Sequence, residues 1–255
     1  MKKANNYVIL KNGAIYTKMT LTVKRIEKFV FMFTLLSFSI SGSVFAYRLI
    51  TELIAPSAGH ILLTSYILSL LQCALGIFAL FIPRLLAKKF RFHFPEHIKI
   101  PYFAFLYCAI FLGEVKNYYI TIPLWDDILH GFSGVMAGLF AFMLTSVVLS
   151  RSNTENNAIP PAFIALFAFV FSVAIGAIWE IYEFSLDRIF ELNMQKYRRD
   201  DGTALVGRDA LFDTMKDVLI DTAGALIASI FGYTAIKTKR NWLKKYTLPP
   251  RKEQE

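Results

Sequence analysis

The chain has 255 residues, of which 55% are apolar and 24 are Phe, and its mean hydropathy is +0.46. Ordinary soluble domains do not reach that composition, so a soluble globular protein is excluded and an integral membrane protein is expected. The net charge of +9 flanks the apolar runs and carries no nucleic-acid-binding motif, so membrane lipid is the expected partner and nucleic acid is not.

Runs of about 20 apolar residues cross the hydrocarbon core as helices, and such runs lie near 29–50, 60–82, 100–120, 128–149, 160–184 and 214–236. The predicted fold class is all-α, a polytopic membrane bundle of about six transmembrane helices over 29–236, with a basic cytoplasmic arm over 1–28 and a basic cytoplasmic tail over 237–255. The arm carries Lys2, Lys3, Lys11, Lys18, Lys24, Arg25 and Lys28. Each basic residue held against anionic lipid contributes on the order of 1 kcal/mol. The first apolar run passes Val44-Phe45-Ala46, which has the look of a secretory cleavage site, but it continues to Ile50 after a long arm, as a retained anchor does. Pro83 and Pro101 read as the bounds of the loop between the second and third helices, and Pro160-Pro161 opens the fifth. Cys73 and Cys108 fall inside apolar runs without metal-ligand or redox spacing and read as small core hydrophobes.

Basic loop residues are retained in the cytoplasm. With both termini inside, 20 Lys and Arg fall on the inner side and eight on the outer. Six of those eight (Arg188, Lys196, Arg198, Arg199, Arg208 and Lys216) cluster around the loop read over 185–212, where Asp187, Glu191, Asp200, Asp201 and Asp209 accompany them. The expected location is a bacterial inner membrane, with both termini cytoplasmic.

In this arrangement the fourth helix begins at the outer face with Asp126, Asp127 and His130, the fifth ends there with Glu180 and Glu183, and the sixth begins there with Asp213, Asp217 and Asp221. Glu114 falls at a similar depth on the third helix, where Lys116 is a potential neutralising neighbour. Residues three and four apart share a helix face. Asp126 and Asp127 precede His130 by four and three, Glu180 precedes Glu183 by three, and Asp213, Asp217 and Asp221 form a four-residue ladder. Small residues permit close helix approach: Gly131, Gly134 and Gly138 on the fourth helix, Gly176 and Ala177 on the fifth, and Gly224, Ala228 and Gly232 on the sixth. Helices four to six are therefore expected to pack tightly.

Ionisable groups inside hydrocarbon are functional candidates, because the bilayer solvates them poorly. Carboxylates forced together must share protons, pair with bases or hold a cation. The candidate metal ligands are Asp126, Asp127, His130, Glu180, Glu183, Asp213, Asp217 and Asp221, and the candidate cofactor is a divalent metal ion of unassigned identity. Structural roles stand beside these: Asp126 and Asp127 as helix-start acids, Glu180 and Glu183 as interfacial residues beside Trp179 and Tyr182, and Asp213 as a first-turn acid. Asp221, two turns into an apolar run, is the least accounted for by such roles.

The stretches Trp125-Asp126-Asp127-Ile128-Leu129-His130-Gly131, Trp179-Glu180-Ile181-Tyr182-Glu183 and Asp213-Thr214-Met215-Lys216-Asp217, continuing through Asp221-Thr222-Ala223-Gly224-Ala225, resemble the YjdF-like family of bacterial inner-membrane proteins. A fainter similarity to VanZ-like proteins lies in the Asp-x-x-x-His start and the late Asp-rich helix. The resemblance covers roughly 110–235 and implies that Asp127, His130, Glu180, Glu183, Asp213 and Asp217 are characteristic positions; it implies no reaction.

From the residues themselves, the first expected function is a metal-assisted enzyme at the outer leaflet, acting on a lipid-linked or phosphorylated substrate. His130, Asp127 and Glu180 are the candidate catalytic groups, and Arg198, Arg199 and Arg208 would hold an anionic head group. A cation or proton transporter is the alternative, and the apolar inner halves of helices four to six argue against it. A non-catalytic assembly factor is the third reading, and a homo-oligomer is compatible with each.

Overall fold

A computed structural model describes residues 3–55, 60–89, 94–151, 159–199 and 201–238. Its elements are α1 (Lys3–Ile54), α2 (His60–Lys89), α3 (Glu96–Leu106), a π-helical stretch (Tyr107–Val115), the single turn α4 (Tyr118–Thr121), α5 (Trp125–Arg151), α6 (Pro161–Phe190) and α7 (Arg208–Lys237). Among the described residues there is no strand, only an isolated antiparallel bridge between Arg198 and Ala204. Among the described residues six helical segments are long and apolar enough to cross a membrane, and they correspond to the six apolar runs of the sequence. The helices form two compact units, divided between Ile122 and Pro123.

The first unit packs α1, α2, α3 and the π-helical stretch around Phe31, Phe38, Leu80, Phe103 and Leu106. Phe38 is fully buried because α2 supplies Gly76 opposite it: a Cβ there would lie 2.7 Å from the ring. Arg84 stacks its guanidinium 4.3 Å from the centre of the Phe31 ring, and Lys99 pairs with Glu27 at 3.1 Å.

Pro83 and Pro101, expected at loop boundaries, both lie inside helices, α2 and α3. A proline within a helix removes the N–H that its i−4 carbonyl needs. For Pro83 that carbonyl belongs to Ala79, and the Tyr102 hydroxyl of α3 donates to it at 2.9 Å. A neighbouring helix thus satisfies the backbone group that the proline frees, the condition under which membrane helices tolerate proline. The third predicted helix, expected over 100–120, also ends earlier. Its second half is π-helical, Lys116 N–H donates to the Phe111 carbonyl at 3.0 Å, and Asn117 turns into the left-handed region at φ +59, stopping the helix before Tyr118. Asn adopts that conformation more readily than most residues.

In the second unit α5, α6 and α7 pack mutually, with glycines at the closest approaches. A Cβ on Gly224 of α7 would lie 2.6 Å from the Gly131 carbonyl of α5, and one on Gly134 would lie 2.5 Å from the Asp221 carbonyl. On the other side, a Cβ on Gly176 of α6 would meet Asp221 Oδ2 at 2.6 Å. Ser172 of α6 donates to the Gly134 carbonyl at 2.7 Å, tying α6 to α5. The buried stripe of α6 runs Ile164, Ala168, Ser172, Gly176, Glu180, Glu183 and Asp187, apolar or small at one end and acidic at the other. That of α7 has the same gradient, from Asp213, Asp217 and Asp221 to Gly232 and Ala235. Leu219, Phe212 and Ile181 face outward, as lipid-facing residues do.

Candidate functional site

The acidic ends of α5, α6 and α7 build one buried polar centre. His130 is its hinge point. Its Nδ1 lies 3.0 Å from Asp221 Oδ2, and its Nε2 lies 3.5 Å from Asp126 Oδ1, one helical turn earlier on α5. Ser133 Oγ lies 2.8 Å from the other Asp221 oxygen and 2.8 Å from the His130 carbonyl, so each oxygen of that carboxylate has a partner within reach. In the tautomer whose Nδ1–H donates to Asp221, the Nε2 lone pair faces the space near Asp126 and Asp217. Ligand atoms of Asp126, His130 and Asp217 all lie within 4.8 Å of one another. Asp217 is 2% exposed, and its Oδ1 has no hydrogen-bond partner.

Two lysines answer part of the charge. Lys196, from the segment between α6 and α7, bridges Asp126 (2.5 Å) and Asp213 (3.1 Å). Lys216, on α7, pairs with Asp127 at 2.7 Å and lies 3.6 Å from Asp213. Partial burial alone would lower the Lys196 pKa, but the charges and hydrogen bonds of Asp126 and Asp213 raise it above the ordinary lysine value. Asp126, Asp127 and Asp213 therefore have ammonium partners, while Glu180, Glu183, Asp217 and Asp221 do not share them.

Glu180 accepts from the Gln195 side chain at 3.2 Å through Oε2, and its buried Oε1 has no partner. Glu183 accepts from Trp179 Nε1 at 2.9 Å, within α6. Glu114 belongs to the first unit, where Gln72 donates to it at 2.8 Å, and its neighbour Lys116 lies over the Phe111 ring.

The segment read as a loop over 185–212 is shorter, from Glu191 to Gly207, because α6 extends through Asp187 and Arg188 and α7 begins at Arg208. Buried Asp187 accepts from the backbone N–H groups of Met194 (2.7 Å) and Gln195 (3.0 Å), folding the chain back over the acidic ends. Arg198 donates from Nη2 to the Glu191 and Leu192 carbonyls, both at 2.8 Å, which ties off the end of α6. Arg199 and Arg208 are exposed.

The sequence shows Lys196 and Asp187 only as loop charges and singles out neither Gln195 nor Ser133 for the site. Ser133 stands three residues after His130 and Asp187 four after Glu183, so helical spacing points to both. Nothing periodic marks Lys196, whose position depends on a left-handed turn at φ +47.

A chain with six membrane-length helices among its described residues, lipid-compatible exterior residues and a buried carboxylate and imidazole centre is a multi-pass membrane protein. Residues 44–238 match the family described as predicted membrane protein (DUF2238), and the chain belongs to that family. An uncharacterised protein of Thermotoga maritima is 29% identical over 131 residues, covering 51% of this chain and 58% of that protein. The chain thus spans just over half the length of that relative. No solved structure matches it.

Proposed function

We propose that the second unit holds a divalent cation among Asp126, His130 and Asp217, and that the protein is a metal-assisted membrane enzyme acting on a lipid-linked or phosphorylated substrate. The observation that carries this reading is the unpartnered, buried Oδ1 of Asp217 beside an imidazole whose other nitrogen is already engaged. Leaving such an oxygen without a partner costs about 1–3 kcal/mol, and more for a charged group. One of the three separations matches a shared ion: ligands at roughly 2.0–2.2 Å from one metal stand about 3–3.5 Å apart, and His130 Nε2 and Asp126 Oδ1 are separated by 3.5 Å, with the Asp217 oxygen within 4.8 Å of both. Asp221 supports the imidazole as an outer partner, the arrangement in which a carboxylate orients a ligating histidine. One nitrogen with two carboxylates suits Mn2+, Fe2+ or Zn2+ better than Ca2+.

When bound, such an ion polarises a phosphoryl oxygen. Glu180, whose buried Oε1 has no hydrogen-bond partner, is the proton acceptor of this reading, and exposed Arg199 and Arg208 meet an anionic head group, with Arg198 fixing the turn beside them. The positive-inside distribution of Lys and Arg supports a bacterial inner-membrane location with both termini cytoplasmic and the site at the outer face. The stretches that resemble YjdF-like proteins are the segments from which this centre is built. Transport of a cation or proton is the second reading, favoured by Ser229, which continues the Asp213, Asp217, Asp221 ladder two turns deeper and has an unpartnered buried Oγ.

Elemental analysis of the purified protein beside Asp217→Asn and His130→Ala tests the site. Bound metal in the wild type and its loss from both variants is the expected result, followed by metal-dependent turnover of a phosphorylated lipid in vesicles. Unchanged metal content in both variants would overturn the assignment.

A further inference from the structure

The two amino groups of the acidic centre are held in different ways. Lys216 rises from α7 itself, three residues after Asp213. Lys196 arrives on the connecting segment, and its main chain is fixed from several sides: Asp187 holds the N–H groups of Met194 and Gln195, Lys196 N–H donates to the Asn193 carbonyl at 3.2 Å, and Gln195 reaches Glu180. Residue 196 is left-handed, at φ +47, a conformation that persists in a non-glycine residue where its surroundings enforce it. The Lys196 side chain is nevertheless 38% exposed. The backbone is pinned, and the ammonium has a route to water.

We propose that Lys196 is a tethered counterion, which fills the acidic centre in its cation-free state and gives up Asp126 when a divalent cation binds among Asp126, His130 and Asp217. The inference rests on the cation reading above and describes how that site is regulated. Asp126 is the shared element, with Lys196 on Oδ2 and His130 Nε2 facing Oδ1. A dication on Oδ1 would confront the ammonium across a single carboxylate, and their repulsion is strong in a partly buried setting. The ammonium yields because it keeps Asp213 at 3.1 Å and water within reach, whereas Asp217 Oδ1 is buried and has no hydrogen-bond partner to fall back on. Binding is then an exchange of one cation for another. By linkage, Lys196 weakens the ion by the same factor as the ion weakens the Lys196–Asp126 pair.

The test uses the full chain in lipid nanodiscs and Mn2+ as the probe, with wild type, Lys196→Gln, Lys196→Arg and Asp217→Asn. Mn2+ should bind Lys196→Gln about tenfold more tightly than wild type, with Lys196→Arg within about threefold of wild type. Acylation of wild-type Lys196 by a water-soluble succinimidyl ester, read by peptide mass spectrometry, should accelerate about fivefold when Mn2+ is added, and not in Asp217→Asn. Mn2+ binding without a change in Lys196 acylation would overturn the exchange while sparing the cation site, even if Lys196→Gln binds more tightly, because removing a charge alone would account for that. Equal affinities of wild type and Lys196→Gln would overturn it too. Failure of every variant to bind Mn2+ would remove the cation site and the exchange together. The wild-type acylation assay is decisive even if Lys196→Gln does not fold.

Discussion

Asp217 and Asp221 stand one turn apart on α7, and their surroundings divide them. Asp221 is saturated by His130 and Ser133 and pressed between glycines of α5 and α6, while Asp217 keeps an unpartnered oxygen. In the proposed cation site Asp221 is therefore a positioning residue for the imidazole. Asp221→Asn preserves the shape but removes the charge that orients and strengthens His130, so Mn2+ affinity should fall about 10- to 100-fold, as measured by electron paramagnetic resonance titration. An unchanged affinity would remove Asp221 from the support of the site. Helical spacing alone put the ladder of Asp213, Asp217 and Asp221 on one face, and membrane-length runs made these residues conspicuous. Spacing could not separate a saturated carboxylate from an unsaturated one, because that difference is made by Ser133 and His130 on another helix. Nor could it find Lys196, which enters from a turn whose geometry is set by Asp187.

At the scale of elements, contact between α5 and α7 depends on glycines that let one backbone touch the other. Gly134→Ala drives a Cβ to 2.5 Å from the Asp221 carbonyl, whereas one at Gly131 meets nothing nearer than Ile220 Cγ2 at 3.4 Å. Overpacking of this kind costs about 1–3 kcal/mol. Gly134→Ala should therefore lower the unfolding midpoint in detergent clearly and Gly131→Ala little; equal shifts would show that the approach of these helices is not the constraint. The small residues and their i, i+4 spacing were readable beforehand, as was the packing of the last three helices. The interruption of the third span was not. Nothing in the run from Tyr107 to Val115 announces π-helical bonding, which places one extra residue per turn between Phe111 and Lys116.

For the whole molecule, apolar length and the lack of other folding options in hydrocarbon made the six-helix architecture legible from composition alone. The side of the membrane on which the acidic ends lie is a matter of loop charge. A phosphatase reporter inserted after Val206 should be active, as expected for an outer position, and one inserted between Ser152 and Ala158 should be inactive. The opposite pattern would place the centre at the cytoplasmic face.

The proline in α2 also bears on how the chain is assembled. As α2 enters the bilayer, the Ala79 carbonyl has no amide to meet it within its own helix, and its partner, the Tyr102 hydroxyl, belongs to a segment not yet inserted. An oxygen stranded in hydrocarbon costs several kcal/mol. Insertion of α2 is therefore completed by its successor, and the two enter most favourably as a hairpin, with translation order and bilayer energetics acting in the same direction.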